Sequence, residues 1–259
     1  MLRFYLSRLF AKALHLAEQR KLDADAINRL RSAEALGLDS PQYESDMYDA
    51  IYDERIWHSY LNAIQIDGPD KSEIACRAVK VRDAILGLGS IGTYLNFGSG
   101  YGWLEHQIAT SSHLHVVGID RRQAARNRRE FQAQRLRFED VTNALAFIRT
   151  ERPAMFSAVN ILHIFTRHYI ERLFRTLAES GCRHVVIWEP SGISAETGRL
   201  YQYTATPKRS EVYYGTERSA VIMHNYPALL AQAGFSVTHQ SRHPWSNRRK
   251  HAPIMIVAS

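Results

Sequence analysis

The stretch at residues 94–107, YLNFGSGYGWLEHQ, decides the fold. It opens on a short apolar run, places glycines at 98, 100 and 102, and continues into an amphipathic segment. Glycine at alternate positions between a strand and a helix has a physical use. Without a Cβ the backbone lets a ligand come close. The helix that follows offers free N–H groups and the positive end of its dipole to a carboxylate or phosphate. In an open parallel sheet this turn lies at the carboxyl ends of the strands, where ligands bind.

Outward from that turn, short apolar runs alternate with amphipathic stretches. Strands are expected at Thr93–Phe97, His115–Ile119, Leu136–Phe138, Ala158–Ile164, His184–Trp188, Phe235–Gln240 and Pro253–Ala258. Helices are expected at Trp103–Thr110, Arg122–Gln134, Thr142–Arg149 and His168–Ser180. Strand–helix alternation with near-continuous apolar strands predicts a doubly wound α/β fold: a mostly parallel seven-stranded sheet covered on both faces. The last two strands are joined by SRHPWSNRRKHA, too short for a crossover helix, so the C-terminal strand is expected to be antiparallel.

Residues 1–88 read as a helical N-terminal extension, and 89–259 as the α/β domain. Ser40-Pro41 is a helix-start signal, and a further helix carries Ile74, Ala78, Val81 and Ile85 at helical period. The first 21 residues interrupt their apolar run with Arg8 and Lys12, which argues against a signal peptide. Leu2, Leu6, Leu9, Ala13 and Leu16 instead describe a basic amphipathic helix, packed on the protein or lying peripherally on an anionic membrane. No stretch approaches the ~20 apolar residues of a membrane span.

The 259 residues carry a net charge of +7, which suits an anionic partner. Cys76 and Cys182 have no neighbouring ligands at metal spacing, so neither a disulfide framework nor a metal site is expected, and a cytoplasmic setting is the default.

Two cofactor classes use a glycine turn of this kind. Dinucleotide binders want G-x-G-x-x-G, but here the spacing is G-x-G-x-G and Trp103 occupies the third glycine's place. LNFGSGYG followed by VVGID resembles the first motif and second-strand acid of class I S-adenosylmethionine-dependent methyltransferases, over roughly residues 90–259. The resemblance implies S-adenosylmethionine as cofactor. It assigns Asn96, Gly98, Ser99, Gly100, Gly102 and Arg121 to the cofactor site, with Asp120 on the ribose hydroxyls. It also assigns Asp140 and Val141 to the adenine, and Asn160 to the end of the fourth strand. The family often carries Glu or Asp where this chain has the neutral Asn96, which leaves the cofactor ammonium without a charge there.

Methyl transfer from a sulfonium aligns an acceptor and, for a hydroxyl, removes its proton. His163 is the first candidate base, or else a support for the site. Glu189, ending the fifth strand, either orients the acceptor, acts as base, or caps structure. His168 is expected to begin a helix or, less directly, to serve chemistry. The segment 191–219, with Tyr201, Tyr203, Lys208, Tyr213 and Tyr214, is either a substrate loop or a surface excursion with some pairing of its own. The aromatic stretch with Tyr43, Tyr48, Tyr52, Trp57 and Tyr60 either roofs the site or packs within the extension. The basic run 121–130 fits a solvated helix face, and 246–251 fits an anionic surface.

The expected function is transfer of a methyl group to a small-molecule or glycan hydroxyl. A nucleic-acid methyltransferase is the nearest rival, favoured by charge; NILHIF lacks the Pro-Pro-aromatic motif that amino-methylating members share. A non-catalytic binding module on the same fold is the third, kept in view by Asn96.

Overall fold

The computed structural model of the chain describes residues 73–89, 92–190, 212–216, 219–222, 224–242 and 253–259. The expectations for the N-terminal amphipathic helix, the helix start at 40–41, the aromatic stretch 43–60, Tyr201, Tyr203, Lys208 and the basic run 246–251 lie outside these residues.

In chain order the elements are α1 (Glu73–Gly87), β1 (Thr93–Phe97), α2 (Trp103–Ser111), β2 (His115–Ile119), α3 (Ala124–Glu130) and β3 (Leu136–Glu139). There follow α4 (Ala144–Glu151), β4 (Met155–Val159), a 3₁₀ turn (Leu162–Ile164), α5 (Arg167–Glu179) and β5 (His184–Pro190). The chain ends through β6 (Val212–Thr216), β7 (Ser219–Ile222), α6 (Tyr226–Gln232), β8 (Val237–Arg242) and β9 (Pro253–Ala258). The main sheet has seven strands in the order β3-β2-β1-β4-β5-β9-β8. β1 pairs in parallel with both β2 and β4, so the strand order reverses there. β9 is antiparallel to β5 and β8, as the closing hairpin requires. β6 and β7 form a separate two-stranded sheet.

Strand periodicity sorts the apolar residues into two layers. Leu95, Val117, Phe156 and Val185 face the side covered by α4, α5 and α6, where Leu145, Ile148, Leu173, Phe174, Leu229 and Leu230 fill the core. Their chain neighbours Tyr94, Val116, Met155 and Val186 face the other side, against Val81 and Ile85 of α1 and Leu104 and Ile108 of α2. Both faces are therefore apolar, and the runs read as nearly continuous.

Two strands are displaced from expectation: β8 is Val237–Arg242 where Phe235–Gln240 was expected, and the fourth strand moves further. The run Ala158–Ile164 is not a strand throughout: β4 is Met155–Val159, and the chain leaves the sheet at Asn160, whose φ is 55°. The apolar run continues because Leu162, Ile164 and Phe165 are buried under the turn itself. The expected helix Arg122–Gln134 is also shorter. It ends at Glu130, where Phe131 becomes extended and its ring packs beside His106 and Phe138. α6 was not expected; its signal is Asn225, whose side chain accepts from the Ala228 N–H, with Pro227 in the first turn.

Of the described glycines, Gly118 has the closest neighbour to an added Cβ. A Cβ there would lie 2.7 Å from Phe138 Cδ1 and 2.9 Å from Ser99 Cβ. Gly118→Ala is expected to destabilise the chain by about 1–3 kcal/mol in urea unfolding through overpacking. Adding Phe138→Leu should recover part of that loss, whereas a Gly118→Ala chain as stable as the parent contradicts the packing.

Candidate active site at the carboxyl ends of the strands

The three glycines of the turn all adopt positive φ: 76° at Gly98, 52° at Gly100 and 77° at Gly102. Gly98 and Ser99 donate their N–H groups to the Ile119 carbonyl at 2.9 and 3.0 Å, binding the turn to the end of β2. The room the glycines leave is partly taken by protein. A Cβ at Gly98 would meet Ile161 Cγ1 at 2.9 Å, and one at Gly102 would meet Phe138 Cζ at 2.8 Å and Asn127 Cγ at 2.9 Å. The bare faces of these two glycines therefore admit Ile161, Phe138 and Asn127 into close packing. Gly102 also leaves α2 without a side-chain cap.

Asp120 organises the turn. Its Oδ2 accepts from the Gly100 N–H at 2.9 Å, and its Oδ1 accepts from the Arg122 and Gln123 N–H groups, each at 2.9 Å. Burial raises its pKa; the three backbone donors pull the other way, and the neighbouring Asp140 adds a smaller upward push. Asn127 clamps the far side of Gly100, donating from Nδ2 to its carbonyl at 2.8 Å.

Behind the turn runs a buried polar chain. The Tyr94 hydroxyl and Ser157 Oγ are 2.6 Å apart, and Ser157 Oγ donates to Asn96 Oδ1 at 2.6 Å. Asn96 Nδ2 donates in turn to Glu105 Oε1. Glu105, in the first turn of α2, is fully buried, and its Oε2 has no hydrogen-bond partner. Burial pushes its carboxyl up to about 8, against the opposing pull of the Asn96 amide and its own backbone N–H. Ser99 Oγ is likewise buried without a partner. Sequence reasoning missed Glu105. The available signal was a carboxylate between Leu104 and Ile108, among the inward-facing residues of α2.

A second polar group sits at the ends of β4 and β5. Glu189 is fully buried and accepts at Oε1 from the Ile161 and Leu162 N–H groups, at 2.7 and 2.9 Å. Its Oε2 is 2.9 Å from His163 Nδ1, so the His163 ring is held through that nitrogen. His163 lies in the 3₁₀ turn, not at a strand end, and its side chain is 16% exposed. Ile161 joins the two groups: its N–H binds Glu189 and its side chain covers Gly98. β7 runs against this turn. His224, just after β7, meets the Phe165 carbonyl through Nε2 at 2.9 Å and is held neutral by burial, its pKa down at about 3.

The remaining candidates are placed as follows. Asp140 is exposed just beyond β3, beside the partly buried Val141. Asn160 donates its N–H to the Trp188 carbonyl at 2.9 Å. Arg121 is partly buried, with Nη1 enclosed and unpaired. His168 stands in the first turn of α5, whose N-cap is Thr166. A hollow of about 330 Å³ lined by Thr93, His115, Gln134 and Arg135 lies at the amino ends of β1–β3, the end opposite to where parallel sheets bind ligands.

Solved structures share this architecture at low identity. The glycopeptide N-methyltransferase MtfA, complexed with sinefungin, matches with a TM-score of 0.52 and 15% identity over 70% of this chain and 85% of that one. An S-adenosylmethionine dependent methyltransferase from Mesorhizobium loti matches at 0.51 and 14% identity, over 74% and 99%. The [4+2]-cyclase SpnF matches at 0.50 and 13% identity, over 69% and 80%. No family model and no curated protein matches the sequence. The chain has the Rossmann-like fold of class I S-adenosylmethionine-dependent methyltransferases, and the cyclase shows that this fold alone does not specify the reaction.

The Glu105 carboxyl binds its proton in the native chain up to about pH 8 but loses it near 4.5 when unfolded. Native protein therefore holds more protons across that window, and stability falls as pH rises through it. Glu105→Gln should abolish this slope, which is at most about 1.4 kcal/mol per pH unit. Urea unfolding at pH 5 and pH 8 measures it; identical pH dependence in both chains would contradict a buried, protonated Glu105.

Proposed function

We propose that the chain is an S-adenosylmethionine-dependent methyltransferase acting on a hydroxyl of a small molecule or glycan. The observation that carries this is the bond from the Gly100 N–H to Asp120 Oδ2, which joins the glycine turn and the second-strand acid at the point where strand order reverses. The donor set suits the cofactor. Asp120 keeps lone pairs for the ribose hydroxyls, and Ser99 Oγ and Glu105 Oε2 are buried polar atoms that a ligand would satisfy. Asp140 and Val141 are assigned to the adenine side, with Arg121 and Asn160 at the edges of the same crevice. When bound, S-adenosylmethionine supplies an electrophilic methyl group on a sulfonium and leaves as the neutral thioether.

The chain's own residues do the rest. Glu189 fixes the His163 ring through Nδ1, which directs Nε2 to the task of accepting a proton. His163 takes the acceptor's hydroxyl proton at Nε2 as the oxygen bonds to the methyl carbon. Glu189, enclosed and saturated by two backbone donors, acts as a positioning residue. β7, which runs against the turn that carries His163, is assigned to the acceptor's cover. Charge alone gives little support to a nucleic-acid acceptor, since two arginines of the 121–130 run are engaged internally. Arg126 pairs with Glu130, and Arg128 donates to the Phe138 carbonyl.

Asp120→Ala is expected to weaken S-adenosylhomocysteine binding roughly 10- to 100-fold in calorimetry, the effect of one charge-assisted hydrogen bond. Unchanged affinity would refute the assignment of Asp120. With methyl-tritiated cofactor and a panel of phenolic and sugar hydroxyl acceptors, His163→Ala should lower transfer roughly 10²–10⁴-fold while binding is retained. Transfer at the parent rate would remove His163 from the chemistry.

A further inference from the structure

Glu105 is the one carboxylate of the site whose partners do not account for its burial. Asp120 has three backbone donors, and Glu189 has two donors and a histidine. Glu105 has a single side-chain donor, the Asn96 amide on Oε1, while Oε2 is enclosed with none. A buried carboxylate short of partners is costly, and a chain avoids that cost by protonating it or by giving it a cation. Among the described residues no cationic side chain forms an ion pair with Glu105. Lys80 on the adjoining α1 lies over the Trp188 ring, and Arg137 on β3 pairs with Glu139 and Glu151. The groups coupled to Glu105 by charge are Tyr94 on β1 and Asp120 after β2, and neither is cationic.

The position matters as much as the deficit. Asn96 stands two residues before Gly98, where the chain has an amide and no charge. Glu105, in the helix that follows the glycine turn, accepts from that amide, so a carboxyl group sits one hydrogen bond away from the neutral position. Ser99 Oγ, also enclosed and unpaired, lies within the same turn.

We propose that Glu105 is a cofactor-binding residue that supplies, from the helix, the negative charge absent at position 96, and that its Oε2 receives the α-ammonium of the cofactor's amino-acid tail. This rests on the S-adenosylmethionine assignment and makes it specific: the adenosine part is held by Asp120 and the ammonium by Glu105. Without ligand the carboxyl keeps its proton. Bringing in an ammonium favours the ionised form, so binding expels that proton to solvent.

Calorimetry on the full chain with two ligands tests this. S-adenosylhomocysteine carries the ammonium, and 5′-methylthioadenosine keeps the nucleoside but lacks it. Glu105→Gln should weaken S-adenosylhomocysteine roughly 10- to 100-fold, as expected for a charge-assisted bond, and leave 5′-methylthioadenosine within about twofold. In the unaltered chain, repeating the titration at pH 7 in buffers of different ionisation heat should show close to one proton released with S-adenosylhomocysteine and none with 5′-methylthioadenosine. The proton count needs no variant, so it decides the matter even where Glu105→Gln fails to fold. Equal losses for both ligands, no loss for either, or no proton release would overturn the role of Glu105 while leaving the cofactor assignment standing. Failure of the unaltered chain to bind either ligand would instead overturn the cofactor assignment and this inference with it.

Discussion

The site depends on how one carboxylate is satisfied. Asp120 is drawn into the protein at the end of β2, where an unsatisfied charge would be expensive. It collects N–H groups from Gly100 on one side and from Arg122 and Gln123 on the other. Those bonds set the path of the glycine turn and begin the approach to α3. Gly100 is then held from both directions, since Asn127 binds its carbonyl from α3. The turn is shaped by hydrogen bonds to its backbone, and the three positive φ angles are the conformations those bonds need.

Three carboxyls gather near the strand ends, Glu105 and Glu189 buried and Asp120 half-buried, and each is handled differently. Asp120 is satisfied by backbone. Glu189 is satisfied by the backbone of the turn after β4 and passes its second oxygen to His163. Glu105 is left short by one partner. Ile161 stands between the first two, its amide on Glu189 and its side chain on Gly98, so the histidine pair and the glycine turn form one continuous structure. The apolar layers on both faces of the sheet isolate this polar cluster at a single end of the molecule.

Much of the fold was legible because local pattern and global packing agree. Thr93–Phe97, His115–Ile119 and Pro253–Ala258 are short apolar runs with polar or glycine-rich flanks, and they are strands to the residue. The fourth strand was displaced because its turn is as apolar as the strand, and periodicity cannot separate two segments facing one core. Asn160 was the only punctuation. The pairing of His163 with Glu189 was not legible, since it joins residues 26 apart through a turn that sequence reasoning read as strand. The roles of Gly98 and Gly102 were half legible. The glycine turn itself followed from the motif, but its positive φ angles and the contacts of the Cβ-free faces with Ile161 and Phe138 arise only in the packed structure. Glu105 escaped notice because a helix's first turn ordinarily welcomes an acid as a partner of the dipole, and burial is invisible in sequence.

A crystal structure of the full chain grown with S-adenosylhomocysteine tests the central claim most directly. The account predicts the ribose hydroxyls on the Asp120 carboxylate, the amino-acid tail beside the glycine turn, and the sulfur on the side facing His163. Ligand bound elsewhere with the crevice between residues 98–102 and 120 closed by Ile161 and Phe138, or no ligand at saturating concentration, would contradict it.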